Sequence, residues 1–269
     1  MKKYLTTFSF YEGEREYLYN TYAKPRFQKY ADLHGLKFVE LNKFNFNIET
    51  IHPEIGIKDN LHFNRWLLFK KLLDAGTLKD GDIVYNIDAD IFIKEINQFF
   101  IPEKSFTYAI DSGNTHCFGF FVLKISPFTR TLIDNIISRE RWLKVRDHVF
   151  FNEHDNKHGK WFIADQQMYY TCAGIKPHSW KSFYELENLG FHSYPTEHTI
   201  FTLEELKENV EVLPTEWNVT HLIDETMENG KRCAYDIVHS TREKAIFRHF
   251  AGGTQPWRFQ EYDALYPLT

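Results

Sequence analysis

Two aspartates separated by one residue, Asp88-Ala89-Asp90, directly follow the apolar run Asp82-Ile83-Val84-Tyr85-Asn86-Ile87. In an extended chain residues two apart project to one side, so both carboxylates can reach one point. Two acids on one face repel unless a cation lies between them. Oxygen ligands of this kind suit Mg²⁺ or Mn²⁺, which keep several waters and take substrate phosphates as well. The plain alternative is a solvated turn, since Asp-x-Asp is a common tripeptide. Near the other end of the chain, Phe247-Arg248-His249-Phe250-Ala251-Gly252-Gly253 sets an imidazole, a good metal ligand, beside glycines whose backbone can approach a phosphate. Taken alone, His249 reads first as a core histidine before a turn. A third group, Ala164-Asp165-Gln166-Gln167, opens a helix with Asp165 as its N-cap.

Such side chains need elements to hold them, and the first half of the chain reads as strand alternating with helix. Tyr4–Phe10 is a strand, and Glu14–His34 a helix interrupted by Pro25 and closed by Gly35. Leu36–Leu41 is a second strand, followed by a long surface loop to about Asn60. A helix spans His62–Ala75, with Arg65 and Lys70 on it; a phosphate contact is open to both, while a solvated face is the plainer reading of Lys70. The run Asp82–Ile87 reads as a buried parallel strand with acids at its carboxyl end, where ligands bind in open α/β folds. Further strands are expected at Phe106–Ile110, Cys117–Ile125, Val210–Pro214 and Lys244–Phe250, and helices over Pro127–Leu143 and Ala164–Cys172, the latter stopped by Gly174. Between these elements the chain is irregular. The pattern is α/β, in one domain.

Composition narrows the function classes. The 269 residues carry 32 basic and 37 acidic side chains, a net charge of −5, which argues against a surface that coats nucleic acid or anionic membranes. The 43% apolar and 26% charged content is that of a globular chain and excludes global disorder. Aromatic residues reach 17%, and core packing is their first use, ahead of stacking on sugars or bases. Cys117, Cys172 and Cys233 show no C-x-x-C spacing, so neither a structural zinc nor a disulfide framework is indicated. Neither a signal peptide nor a transmembrane segment is apparent, so the expected location is cytoplasmic. Asn218-Val219-Thr220 fits the N-glycosylation pattern, but so short a motif carries no weight.

An Asp-x-Asp after a buried strand also suits a phosphatase of the haloacid dehalogenase type, but Phe92 stands where that motif wants Thr or Val. The pieces in order fit better elsewhere. Asp88-Ala89-Asp90, Cys117-Phe118-Gly119, Asp165-Gln166, Leu213-Pro214-Thr215-Glu216-Trp217-Asn218 and His249-Phe250-Ala251-Gly252-Gly253-Thr254-Gln255-Pro256-Trp257 together resemble the retaining GT-A glycosyltransferases that include glycogenin and the lipopolysaccharide galactosyltransferases. The stretch Arg26–Gly35 looks more like the α-mannosyltransferase and xylosyltransferase relatives.

The resemblance implies one GT-A domain over residues 1–269, with a mainly parallel sheet and a C-terminal extension that completes the metal site. Its donor-binding half is about 1–125 and its acceptor-side half about 126–269. It implies Mn²⁺, or Mg²⁺, held by Asp88, Asp90 and His249, and a UDP- or GDP-sugar donor with a glycan or glycoconjugate acceptor. Thr6, Thr7, Tyr11, Arg65, Ala89, Cys117, Gly252 and Gln255 fall at donor-binding positions. Gln166, with Asp165, falls at the reacting sugar, its amide oxygen facing an oxocarbenium-like centre. Two positions depart from the pattern. Cys117 replaces an Asn near the donor sugar, and Gln255 replaces a Lys at the diphosphate, a charge that Arg248 or Arg258 would have to supply. A catalytically weak nucleotide-sugar-binding module is therefore the rival reading. A glycosidase is a third, because carboxylate pairs also hydrolyse sugars.

Overall fold

The computed structural model describes residues 1–110, 116–146, 164–176, 187–220, 244–251 and 257–268. They form two compact units. The first comprises Met1–Phe46, Asp82–Lys124 and Glu211–Thr269, and the second Asn47–Gly81 and Ile125–Val210.

The first unit is built on strands β1 (Lys3–Ser9), β2 (Lys37–Asn42), β3 (Ile83–Ile87), β5 (Phe106–Ile110), β6 (His116–Lys124) and β7 (Val210–Leu213). Their order across the sheet is β2-β1-β3-β6-β5-β7. β1 pairs in parallel with both β2 and β3, whereas β6 runs antiparallel to β3 and to β5. Strands β2, β1, β3 and β5 thus share one direction and β6 opposes them, which makes this a mixed α/β fold with a mainly parallel sheet. All five residues of β3 are buried, as its unbroken Ile-Val-Tyr-Asn-Ile run requires of a strand covered on both faces. The sequence does not reveal that one of its neighbours is antiparallel. β4 (Ile91–Ile93) and β8 (Phe247–His249) form a separate antiparallel pair.

Helices α1 (Glu14–Leu18) and α2 (Lys24–His34) are joined through a π-helical turn at Tyr19–Ala23. Pro25 has no N–H to give, and the wide turn ahead of it, where the Lys24 N–H reaches back to the Tyr19 carbonyl, lets the helix pass through the proline. Gly35 ends α2 in the left-handed conformation (φ 65°), and the Leu36 N–H bonds the Ala31 carbonyl at 2.8 Å. Arg26, 1% exposed, donates to the Ile93 carbonyl, the Asp263 carboxylate and the Tyr266 carbonyl, fastening the last helix, α8 (Phe259–Leu265), to α2 and β4.

The second unit contains α3 (Ile57–Asp74), α4 (Pro127–Ile136), α5 (Arg139–Arg146), α6 (Asp165–Ala173) and α7 (Leu203–Asn209). One helix was expected over Pro127–Leu143. The chain instead breaks after Ile136, and the Ser138 hydroxyl takes the Arg141 N–H at 3.2 Å to start a new helix. α3 begins five residues ahead of the expected His62. Asn60 and Asn64 on it bond the backbone of His52 and Glu49 in both directions, which pins the preceding loop. No helix among the described residues is long and apolar enough to cross a membrane.

That pinned loop buries His52 completely. Its ring stacks on Trp142 (centroids 5.0 Å apart, planes at 22°) and meets Phe63 edge-on, and neither ring nitrogen has a hydrogen-bond partner. Burial pushes its pKa down to about 4, with Glu54 opposing and Arg139 assisting. From about pH 6.5 downward the unfolded chain takes up a proton that the folded chain refuses, so stability falls with falling pH until the folded pKa is reached, by about 3 kcal/mol. Urea unfolding at pH 7 and pH 4.5 should show His52→Phe losing most of that decrement; an unchanged pH dependence would overturn the assignment.

Candidate functional site

The acidic pair lies at a turn that ends β3. The Asp88 N–H bonds the Gly119 carbonyl of β6 at 2.8 Å, and the Ile91 N–H bonds the Asp88 carbonyl at 3.1 Å. Residues 88–90 therefore curl rather than continue extended, and the alternation of a strand is not what brings the carboxylates together. A turn does so, with Ala89 buried beneath it. β4 then pairs with β8 so that Ile91 lies opposite His249, and the Phe250 N–H bonds the Asp90 carbonyl at 2.9 Å. The sheet ladder itself sets the imidazole against the acids.

His249 Nε2 is 3.1 Å from Asp90 Oδ1 and 4.0 Å from Asp88 Oδ2, and one ligand atom from each of the three residues lies within 4.8 Å of the others. His249 is 4% exposed. Burial alone would lower its pKa, but the Asp90 carboxylate outweighs burial, Cys117 adds to it, and the pKa lies well above the usual histidine value. The contact to Asp90 is close without hydrogen-bond geometry, so Asp90 Oδ1 is buried with no hydrogen-bond partner. Two carboxylates and an imidazole nitrogen converging on one point, one oxygen of them orphaned, form a donor set that fits Mn²⁺ or Mg²⁺.

Around this trio, Tyr11 packs edge-on against Trp257 with centroids 4.4 Å apart, and the Arg15 guanidinium lies 5.3 Å from the same indole. Burial, then the negative charge of Asp90 and Asp88, raises the Tyr11 pKa well above its ordinary value, so its hydroxyl keeps its proton. Thr6 and Thr7 are buried in β1. Thr6 donates to the Tyr85 carbonyl at 3.2 Å, and the Thr7 hydroxyl has no hydrogen-bond partner. Cys117 is half-buried with a free thiol. Arg248 is fully buried and its Nη1 donates to the carbonyls of Val219, Thr220 and His249 at 2.6–2.9 Å, while Arg258 is ion-paired with Glu261. Gly252 and Gln255 lie outside the described residues.

In the second unit, Asp165 is the first residue of α6, and Ala164 occupies the N-cap position expected of it. The Asp165 carboxylate accepts from Arg65 Nε at 2.8 Å, Trp66 Nε1 at 2.6 Å and its neighbour's N–H at 2.9 Å. Gln166 Nε2 lies 3.0 Å from the Tyr170 hydroxyl and donates to it. Lys70 pairs with Asp74 and Asp134 at a partly exposed helix surface.

No protein-family model matches the sequence, and no curated protein does so significantly. The structure aligns with glycosyltransferases of known structure. One, involved in glycosylation of the major capsid of PBCV-1, aligns over 97% of this chain and 99% of its own at 14% identity, with a TM-score of 0.47. GlyE of Streptococcus pneumoniae TIGR4 aligns over 100% of this chain at 9% identity and a TM-score of 0.45; the chain spans 61% of GlyE. The galactosyltransferase LgtC, solved with donor and acceptor sugar analogues, aligns over 98% and 96% of the two chains at 11% identity, with a TM-score of 0.38.

Two residues that sequence reasoning named only as motif letters shape the trio directly. Asn218 Oδ1 lies 2.9 Å from His249 Nδ1, and a Cβ on Gly119 would fall 2.5 Å from the same nitrogen. Next to each in the chain, or two residues away, stands an aromatic ring. Phe120, Trp217 and Phe247 pack together with centroids 4.8–5.9 Å apart, locking the three segments that deliver Gly119, Asn218 and His249. Those pairings join residues 30 to 127 positions apart, which no local pattern encodes.

Proposed function

We propose that this chain is a metal-dependent glycosyltransferase that takes its sugar from a nucleoside-diphosphate donor, UDP or GDP, and passes it to a glycan or glycoconjugate with retention of configuration. The observation that carries the reading is the convergence of Asp88, Asp90 and His249 at the end of β3, with Asp90 Oδ1 buried and without a hydrogen-bond partner. Bound there, a divalent cation supplies Lewis-acid stabilisation of the negative charge that gathers on a departing diphosphate.

The protein residues have separate tasks in this reading. Asp90 and His249 bind the cation from a dry, fixed position; Asp88, more exposed, binds it or the ribose. The Tyr11 and Trp257 rings beside the acids make an apolar wall for the nucleotide. The assignments of Gln166 to the reacting sugar, and of Arg65, Cys117, Gly252 and Gln255 to the donor, rest on the sequence resemblance. A weakly turning-over nucleotide-sugar-binding module is the second reading. It is favoured by the burial of Arg248 against backbone carbonyls, a position from which that residue does not replace the lysine missing at Gln255.

Thermal stabilisation and donor hydrolysis across a panel of nucleotide sugars, with and without Mn²⁺, test both. One donor should raise the melting temperature only with the cation; at a hundredfold excess over its dissociation constant, linkage supplies about 2.7 kcal/mol. Turnover then separates enzyme from binding module, and an α-anomeric proton signal in the product from an α-linked donor establishes retention. The proposal fails if no donor stabilises the protein under either condition.

A further inference from the structure

We infer that Asn218 and Gly119 are positioning residues that hold the His249 ring in one orientation, with Nδ1 donating to Asn218 and Nε2 turned to Asp88 and Asp90. The inference rests on the metal-site reading above. Asn218 is fully buried, and its Oδ1 lies 2.9 Å from His249 Nδ1. An amide oxygen only accepts, so Nδ1 must donate, which leaves Nε2 as the ring nitrogen that faces the acids and is open to a cation. Histidines that bind metals characteristically give their other ring N–H to such an acceptor, which orients the ring and strengthens the ligand.

The backbone makes this contact rigid. The Asn218 N–H bonds the Thr215 carbonyl at 2.8 Å, and the next residue ties to β8 twice: the Val219 N–H to the Phe247 carbonyl at 3.1 Å, and the His249 N–H to the Val219 carbonyl at 2.8 Å. Donor and acceptor thus ride on two segments that cannot slide past each other. Gly119 supplies the space. A Cβ there would fall 2.5 Å from His249 Nδ1 and 3.1 Å from Asn218 Oδ1, so the buried ring would have to shift from its place. The Gly119 carbonyl meanwhile holds the Asp88 N–H at 2.8 Å, so one glycine sets the position of both an acid and the imidazole.

Mn²⁺ titration calorimetry on the full chain, with melting temperature measured beside it, tests this without reference to turnover. Asn218→Leu keeps the volume and removes the acceptor; it should weaken Mn²⁺ binding about 10–100-fold, the usual effect of losing such a partner. Asn218→Asp keeps the acceptor and should bind as tightly as the wild type or tighter. Gly119→Ala leaves Asn218 in place but displaces the ring, and should also weaken binding; it carries the test if Asn218→Leu does not fold. Wild-type affinity in Asn218→Leu or in Gly119→Ala overturns the inference while leaving the metal site intact. So does equal weakening in Asn218→Asp and Asn218→Leu, because a retained acceptor oxygen would then have rescued nothing. A wild-type protein that binds no Mn²⁺ overturns the metal reading itself, and this inference with it.

Discussion

Asp90→Ala and His249→Ala should each abolish Mn²⁺-dependent donor binding and reduce sugar transfer by at least about 10²–10³, the scale on which active sites lose rate when one transition-state charge stabiliser is removed. The fold should survive both. Asp90 enters the ladder through its carbonyl, which takes the Phe250 N–H, and His249 through its own N–H, and alanine keeps both groups. The side chains themselves face each other at 3.1 Å. Removing Asp90 takes away the carboxylate chiefly responsible for raising the His249 pKa, and leaves the more exposed Asp88 with the imidazole. Removing His249 leaves two carboxylates facing a hollow, and the lost Asn218 contact costs about 1–3 kcal/mol, as a buried polar group deprived of its partner does. Mn²⁺ titration together with a melting curve checks the pair: affinity for a nucleoside diphosphate equal to wild type in both variants would sink the assignment.

The acids and the histidine were legible in the sequence because their chemistry belongs to the residue type, and an apolar run before Asp88 is visible without any structure. How they meet was not legible. Residue alternation puts the two carboxylates on one face of a strand, yet the chain turns just after Asp88, where the last bond to β6, to the Gly119 carbonyl, is followed by a bond from the Ile91 N–H back to the Asp88 carbonyl. The antiparallel setting of β6 was hidden for the same reason: Ile-Val-Tyr-Asn-Ile states that both neighbours bury β3, not which way they run. Where signals were local they were readable, and one was missed. Thr202-Leu203-Glu204-Glu205 is a capping box, with the Thr202 and Glu205 side chains each bonding the other's N–H at the start of α7. Arg65 and Asp165, a hundred positions apart, had no such signature, and each was read as a contact for substrate before the structure placed them against each other.

That pairing leads to the second large effect. Asp165→Ala should destabilise the protein by about 3–5 kcal/mol, the cost of breaking a buried ion pair from one side. The carboxylate is 1% exposed and carries the Arg65 guanidinium, the Trp66 indole N–H and the Gln166 N–H together. Its loss takes from Arg65, 5% exposed, the carboxylate 2.7 Å away and from Trp66 the acceptor 2.6 Å away, and loosens the first turn of the helix that bears Gln166. Asp165→Asn separates a clamp from a catalyst. An amide keeps one acceptor oxygen but not the charge, so a clamp loses stability by a smaller amount and the rate falls with it. A residue acting on substrate would lose rate at an unchanged melting temperature. The partner change makes the argument sharper. In Arg65→Leu with Asp165→Ala the buried charges are both gone, and urea unfolding should show the double variant less destabilised than the two single losses summed, since neither charge is left to be buried alone. Simple additivity of the two losses would mean that the carboxylate and the guanidinium do not depend on each other, and Asp165 would then return to being a candidate for the chemistry rather than the support of Gln166.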